Sequence, residues 1–335
     1  MNAACDGYEY ARVTAVDRGS CVVHDGIREI TAEVAGRLTF SLEDPSELPC
    51  VGDWVLIHHY NDQSAAIIHQ VLPRRTVLQR KTPGIGFGRQ MIAANLETAF
   101  IVQACQYDFN PKRLERTLVM VAEGGLEAVV LLTKTDLATP CELERLLEVV
   151  GSITNAPVIA MSNLTGHGLG EVRRRLVPGR TCCLLGSSGV GKTTLMNRLL
   201  GRQAFKTAEI SGTGEGTHTT TRRQLILLEG GGLVIDTPGM REFGMAEAGA
   251  GLEATFDDLA NLAGLCRFDD CTHLSEPGCA VRAALECGEL STQRYENYLK
   301  LRKESEHFAQ SSLDRRKKER AFGRHLKLSK KLMAK

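Results

Sequence analysis

The strongest constraint on the fold is a phosphate-binding loop set between an apolar strand and a helix. Residues 186–193 match the whole G-x-x-x-x-G-K-[ST] pattern. Apolar residues 181–185 predict a buried strand before it, and residues 193–200 predict a helix after it. Converging backbone N–H groups, a lysine charge and the helix dipole all favour phosphate there. The expected nucleotide contacts are Gly186, Ser187, Ser188, Gly189, Val190, Gly191, Lys192, Thr193 and Thr194.

A second motif indicates that the base is guanine. Residues 133–136 read Thr-Lys-Thr-Asp, which resembles the N-K-x-D motif of GTPases. The Asp136 carboxylate can accept from both guanine N1–H and the 2-amino group, and adenine offers neither donor. Lys134 can lie along the base, while Thr133 replaces the usual Asn and supplies no amide. Ser162 and Asn163 follow the next strand, where a backbone N–H can donate to guanine O6.

The order of these motifs is the reverse of the usual one, because the guanine motif precedes the phosphate loop. This order predicts a circularly permuted GTPase domain. Residues 236–239 read Asp-Thr-Pro-Gly, and we expect Gly239 to sense the γ-phosphate. Residues 216–221 read Gly-Thr-His-Thr-Thr-Thr and lie where a switch I segment belongs. The expected Mg²⁺-binding residues are Thr193, Asp236 and one of Thr219 or Thr220.

The water-positioning group is not the usual glutamine. Met240 follows Gly239, and a thioether cannot orient water as a Gln does. His218 is the nearest candidate for the catalytic group, and an ordinary loop histidine is the alternative. We therefore expect slow intrinsic hydrolysis that rises when a partner orders residues 211–221.

Three cysteines and one histidine lie close together near the C-terminal end of the sequence. Cys266, Cys271, His273 and Cys279 have the spacing of a Cys₃His structural zinc site. Four protein ligands leave no open position, so we expect one structural Zn²⁺ per chain and no metal catalysis. The remaining cysteines are scattered, which favours reduced thiols and a cytoplasmic protein.

Composition excludes some classes of protein. The apolar fraction of 43% and charged fraction of 24% are those of an ordinary soluble protein, and no apolar run is long enough to span a bilayer. The N-terminal residues show no secretory signal. Lysine and arginine dominate residues 315–335, where Glu319 is the sole acid. This tail favours a polyanion as partner, with a merely solubilising end as the alternative.

The pattern along the chain predicts a multidomain protein. Short alternating strands before residue 74 favour a small barrel such as an OB-fold, with another β module as the alternative. The expected segments are an OB-fold β-barrel at 1–75, a connector at 76–93, a circularly permuted α/β P-loop GTPase domain at 94–245, a mainly α zinc-binding domain at 246–312 and a basic tail at 313–335.

Taken together, these residues resemble the RsgA family, also called YjeQ or EngC, of circularly permuted GTPases. The likeness covers nearly the whole chain, and residues 216–221 and 266–281 are its most specific parts. It implies an OB-fold, a zinc domain, and GTP hydrolysis that the small ribosomal subunit stimulates as a late check on maturation. Met240 matches the family's apolar residue in place of Gln. Thr133, Asn163 and Thr217 depart from its usual residues.

The resemblance implies the small (30S) ribosomal subunit and its 16S rRNA as partners, and other assembly factors are further candidates. We expect a monomer that does not bind membranes. Two alternatives remain: a nucleotide-gated rRNA-binding module with negligible turnover, and a GTPase that hands zinc to clients. Because residues 236–244 are the last of the GTPase domain, loss of γ-phosphate contacts would relax the segment that leads into the zinc domain.

Overall fold

The fold is described from a computed structural model. It describes residues 7–17, 19–41, 44–82, 88–205, 223–236, 244, 246 and 248–310. These residues form two compact units. One comprises the described residues within 1–79 and 91–243, and the other comprises those within 80–90 and 244–335.

Residues 8–71 fold as a closed β-barrel. Its strands pair in the order β1-β2-β3-β5-β4, and β4 also pairs with β1. The β3–β5 pair is parallel and the other pairs are antiparallel, which is the pairing of an OB-fold. The expected β-barrel is therefore confirmed. The elements are β1 (Glu9–Val16), β2 (Cys21–His24), β3 (Glu29–Val34), α1 (Gly36–Ser41), β4 (Trp54–Tyr60) and β5 (Ala65–Val71).

A buried ion pair holds the chain as it leaves the barrel. The Asp53 carboxylate is fully buried and accepts two hydrogen bonds of 2.8 Å from the guanidinium of Arg74. It also accepts from the backbone N–H of Cys50, and Arg74 donates to the carbonyl oxygens of Ser46 and Leu48. Every charged atom of the pair thus has a partner, which is the condition under which burying a charge is tolerable.

The segment expected as a connector contains a two-stranded hairpin, β6 (Val77–Lys81) and β7 (Arg89–Ala94). Its glycine and arginine content concealed the strands from a pattern-based prediction. Leu78 on β6 and Ile92 on β7 are fully buried and pack into the hydrophobic core. The five-part division of the chain stays a prediction.

The central part is a doubly wound α/β sheet. Its strands lie in the order β10-β9-β8-β11-β13-β12, and all are parallel except β12. Alternate residues of each strand face opposite sides, so Ile101 packs with α2 and α3, and Phe100 packs with α5. The elements are β8 (Thr98–Ala104), α2 (Pro111–Glu123), β9 (Glu127–Thr133), α3 (Pro140–Ile153), β10 (Val158–Ala160), α4 (Leu169–Arg175), β11 (Thr181–Leu185), α5 (Lys192–Leu200), β12 (Gln224–Leu227) and β13 (Leu233–Asp236).

Barrel and sheet are joined within the same unit. Ala15 of β1 pairs with Gln224 of β12, so the strands form one continuous sheet. The half-buried Arg12 side chain donates to Asn95 O and to the Thr181 hydroxyl at the start of β11. Gly52 has a positive φ of 93°, and a Cβ there would lie 2.1 Å from Ala94 O. Only glycine allows the backbone of the barrel to come this close.

The second unit is mainly helical in its described residues. Its core contains Phe256, Leu301 and Phe308. The guanidinium of Arg294 donates to both Asp258 oxygens and lies 4.8 Å from the Phe256 ring centroid. The helices are α6 (Gly249–Thr255), α7 (Asp257–Ala263), α8 (Ala280–Glu286) and residues 292–310. No helix in the described residues is long and apolar enough to cross a membrane.

Replacing Arg74 by Ala should destabilise the barrel by about 3–5 kcal/mol, because Asp53 would stay buried without its cation. Trp54 is the sole tryptophan of the sequence and lies on β4, so its fluorescence during urea unfolding reports on the barrel. Arg28→Ala is the matched control, since Arg28 makes an exposed bond to Gln63 O and its loss should cost below about 0.5 kcal/mol. Equal effects of the two substitutions would contradict the importance of the buried pair.

Candidate functional site

The phosphate-binding loop lies at the carboxyl edge of the sheet, where ligands bind in open α/β folds. It begins at Gly186, directly after β11, and ends where α5 starts at Lys192. A Cβ at Gly186 would lie 2.3 Å from Val102 O on β8, so the loop packs tightly against the neighbouring strand. The loop therefore has little room to move relative to β8.

Lys192 is folded into this loop. Its ammonium donates to the carbonyl oxygens of Gly186 (2.8 Å) and Ser187 (2.6 Å), and the side chain is buried. Burial lowers the pKa of Lys192 to about 8, while the carboxylates of Asp236 and Asp108 act in the opposite direction. A phosphate anion at the loop would favour the charged form of this lysine.

The guanine motif follows β9, the second strand from β11 along the sheet. Thr133 is fully buried, and its hydroxyl donates to Val190 O of the phosphate-binding loop at 2.7 Å. Lys134 adopts a left-handed conformation with φ of 60° and starts a short 3₁₀ turn. Asp136 is exposed on that turn, and the Ser162 hydroxyl donates to its carboxylate.

The loop after β10, which carries Ser162 and Asn163, also contacts the phosphate-binding loop. The Asn163 amide donates to Gly191 O at 3.0 Å, while its own Oδ1 is buried without a hydrogen-bond partner among the described residues. The Ser162 oxygen accepts from the N–H groups of Leu164 and Thr165, which fixes the turn after β10. Thr133 and Asn163 are two of the three departures from the usual motif residues, and both donate hydrogen bonds to the phosphate-binding loop.

Part of the predicted site lies outside the described residues. Asp236 ends β13 and is buried, within electrostatic reach of Lys192. The structure therefore brings together the guanine motif, the phosphate-binding loop and this carboxylate. The predicted positions that lie outside the described residues are His218, Thr219, Thr220, Gly239 and Met240.

One polar residue at the site was missed by sequence reasoning. The Ser187 hydroxyl donates to Asp108 at 2.6 Å, and Asp108 also pairs with Arg113 at 2.7 Å. Asp108 belongs to no known short motif, so its identity carried no signal. Its position in the loop after β8 was the one available clue, since the loops after parallel strands meet at the ligand-binding edge.

The cysteine and histidine cluster of the second unit has the geometry of a metal centre. All four ligand atoms of Cys266, Cys271, His273 and Cys279 lie within 4.8 Å of one another. His273 Nδ1 is 3.6 Å from the sulfurs of both Cys266 and Cys279, and those sulfurs are 4.0 Å apart. Tetrahedral zinc would place sulfur and nitrogen about 3.6 Å apart and two sulfurs about 3.8 Å apart. The cluster could therefore hold a metal ion.

The surroundings of the cluster suit a metal ligand set. Burial, followed by the Arg302 guanidinium, lowers the pKa of His273 and favours the neutral ring that metals require. The Tyr295 hydroxyl donates to His273 O at 2.6 Å, and the backbone N–H of Arg282 donates to the Cys279 sulfur at 3.5 Å. The positions of two of the four residues, His273 and Cys279, are thus supported by neighbouring elements.

Comparisons with known proteins agree with this geometry. Residues 71–246 match the family model of the RsgA GTPase. A small ribosomal subunit biogenesis GTPase RsgA of Opitutus terrae is 42% identical over 322 residues, covering 91% of this chain and 86% of the relative. A protein of the same name from Xylella fastidiosa is 45% identical and covers 81% of this chain and 80% of its own.

Solved structures share the fold. The crystal structure of YjeQ from Thermotoga maritima aligns with a TM-score of 0.65 at 26% identity, covering 89% of this chain and 98% of that one. The structure of YloQ, described as a circularly permuted GTPase, aligns with a TM-score of 0.63 at 23% identity, covering 92% and 98%.

The fold and nucleotide site define a P-loop GTPase in circularly permuted order, because β8, β9 and β10 precede β11 in the chain and lie together on one side of it in the sheet. With the family match and the identity to relatives, the assignment can be more specific. The chain belongs to the RsgA family of GTPases and is a GTP hydrolase.

Replacing Thr133 by Val should weaken GDP binding by about 1–3 kcal/mol, because the shape is kept while buried Val190 O loses its donor. Isothermal titration calorimetry measures the change. Thr133→Ser keeps the hydroxyl and should bind GDP close to the wild-type affinity. If the Val and Ser variants bound GDP equally well, this bond would have no part in forming the site.

GDP affinity should fall between pH 7.5 and pH 9. Free Lys192 loses its proton near pH 8, whereas the phosphate-bound lysine holds it to higher pH. Binding above the free pKa therefore takes up a proton, and affinity falls by up to about tenfold per pH unit. Lys192→Arg is the control, since a guanidinium stays charged, and its weaker binding should not decline over this range. A parallel decline in both proteins would contradict the assignment.

Proposed function

We propose that this protein binds the small ribosomal subunit and its 16S rRNA, and hydrolyses GTP to promote or check late maturation of that subunit. Binding to the subunit raises the rate of hydrolysis. Support comes from relatives that cover most of the chain and are named small ribosomal subunit biogenesis GTPases. The barrel offers a further surface suited to RNA, since OB-folds commonly bind oligonucleotides.

One observation carries the nucleotide assignment. Two side chains from separate base-reading loops, Thr133 and Asn163, both donate to backbone carbonyl oxygens of the phosphate-binding loop. One nucleotide can occupy both motifs only if the distance between the base-reading loops and the phosphate-binding loop is fixed. These bonds set that separation, and they support a single nucleotide site built from both motifs.

The guanine base is held by the side chains around β9 and β10. Asp136 accepts from guanine N1–H and the 2-amino group, and the stem of Lys134 lies along the ring. The backbone N–H of Asn163 donates to O6, and Ser162 orients Asp136 through its hydroxyl. Thr133 acts indirectly, by holding the phosphate-binding loop in place.

The triphosphate is held by the phosphate-binding loop, residues 186–194. Lys192 pairs with the outer phosphates, and Gly239 senses the γ-phosphate through its N–H. Mg²⁺, held by Thr193, by Thr219 or Thr220, and by Asp236, would neutralise charge that develops on the phosphates. His218 positions the attacking water, since Met240 cannot do so.

The second unit contributes a structural zinc site made of Cys266, Cys271, His273 and Cys279. Four protein ligands leave no open coordination position, so the ion stabilises the fold and takes no part in hydrolysis. The chain acts as a cytoplasmic monomer in five segments: 1–75, 76–93, 94–245, 246–312 and 313–335. The switch segment 236–244 leads directly into the zinc domain, so loss of the γ-phosphate is relayed along the chain.

The purified protein should contain about one zinc ion per chain. Cys271→Ser should lower the zinc content and the stability of the second unit, because a structural zinc site contributes folding energy. Cys287→Ser is the matched control, since Cys287 is exposed and lies outside the cluster. Metal analysis and thermal unfolding measure both effects. A full zinc content in the Cys271 variant would show that the metal is held elsewhere.

Purified small ribosomal subunits should accelerate GTP hydrolysis at least tenfold, and large subunits should not. The physical reason is that a bound subunit orders the segment that carries His218, as partners do for other GTPases. Phosphate release is measured with GTP and with ATP, and only GTP should be turned over. Lys192→Ala controls for contaminating hydrolases and should be inactive. Equal rates with both subunits would contradict the proposed function, and subunit binding without turnover would favour a nucleotide-gated binding module.

A further inference from the structure

A strained turn displays a tyrosine beside the nucleotide site. Tyr107 has a positive φ of 64°, and the N–H of Asp108 donates to Gln106 O at 2.9 Å. Together these define a γ-turn with positive φ at its centre, which is a rare and strained conformation. A bulky residue at positive φ is a true outlier, and such strain is concentrated at functional positions.

The ring of Tyr107 contributes nothing to the fold, because its side chain is 99% exposed. The neighbouring residues do have structural roles. Phe109 packs against the core of the sheet, and the Asn110 side chain caps the N-terminus of α2. The contacts of these neighbours hold the backbone in the strained turn. The ring itself has no role within the domain, so it is free to contact another molecule.

The turn is anchored on both sides to the nucleotide site. The Gln106 amide donates to Leu137 O, directly after the guanine motif. Asp108 accepts from the hydroxyl of Ser187 in the phosphate-binding loop at 2.6 Å, and Arg113 pairs with the same carboxylate. A contact made by Tyr107 is therefore linked, through these hydrogen bonds, to the segments proposed to hold the base and the phosphates.

The chemistry around the ring favours RNA as the partner. Lys112 is exposed on the first turn of α2, close to Tyr107 in the sequence. An exposed aromatic ring can stack on an unpaired base, and a lysine on the adjoining helix turn can contact a phosphate of the same strand.

We propose that Tyr107 stacks on an unpaired base of rRNA in the small subunit, and that the hydrogen bond from Ser187 to Asp108 transmits this docking to the phosphate-binding loop. The proposal rests on the function proposed above. It adds the contact that links subunit binding to hydrolysis.

Subunit-stimulated hydrolysis tests the docking contact. Tyr107→Asn removes the ring and keeps a residue that tolerates positive φ, while Tyr107→Phe keeps the ring. Basal hydrolysis and GDP affinity should be unchanged in both variants. The Asn variant should need about tenfold more subunit for half-maximal stimulation, which is within the effect of losing one aromatic stack. The Phe variant should behave as wild type.

The outcomes separate the two proposals. If wild-type protein shows no stimulation by small subunits, the proposed function fails and this inference fails with it. If small subunits stimulate both proteins and the half-maximal subunit concentration is the same for wild type and Tyr107→Asn, the proposed function stands and Tyr107 is not the docking contact.

Cross-linking identifies the chemistry of the partner. A benzophenone side chain introduced at position 107 should cross-link to rRNA when the complex with small subunits is irradiated. Recovery of the cross-link on a ribosomal protein would overturn the assignment to RNA, as would the absence of any cross-link in a complex that sediments intact.

Asp108→Ala tests the transmission step. The variant should bind subunits with a half-maximal concentration near that of wild type, while its maximal stimulated rate falls. A merely structural role of Asp108 would lower thermal stability and subunit affinity together. Full stimulation of this variant would show that docking reaches the phosphate-binding loop by another route.

Discussion

The parallel pairing of β11 with β8 is the interaction on which the nucleotide site depends. Its register places Leu185 opposite Ile101, so the loops that follow the two strands leave the sheet side by side. β9 and β10 extend the same parallel arrangement, and their loops meet at the same edge. Because adjacency in the sheet brings these loops together, the order of the strands along the chain is free to change. A circular permutation leaves such a site intact.

Polar side chains then join these loops into one structure. A threonine replaces the usual asparagine of the guanine motif, yet its hydroxyl reaches the phosphate-binding loop at Val190 O. Asn163 makes a second bond to that loop at Gly191 O. Asp108 makes a third contact through Ser187. An unusual residue in one motif is thus no sign of a weakened site when its hydrogen-bonding group occupies the required position.

Much of the candidate site could be predicted, because its chemistry requires particular residues at short spacing. The phosphate-binding loop and the Cys₃His cluster are local patterns, and the four predicted metal ligands do lie together. Asp108 could not be predicted, since its partner Ser187 is distant in the sequence and any carboxylate can be an ordinary surface group. The hairpin of β6 and β7 was missed because basic residues and the glycines between its strands dominate the segment, although Leu78 and Ile92 are fully buried.

The sequence by itself determined the class of nucleotide, the permuted order of the motifs and the four residues that could hold a metal ion, since each follows from residue type and local spacing. The tertiary structure alone decided which loops support one another, how deeply Lys192 is buried, and that Tyr107 stands exposed on a strained turn. The physical reason is that burial and hydrogen bonding between distant segments depend on strand register and packing. Those are properties of the whole sheet and are not encoded in any short stretch of the chain.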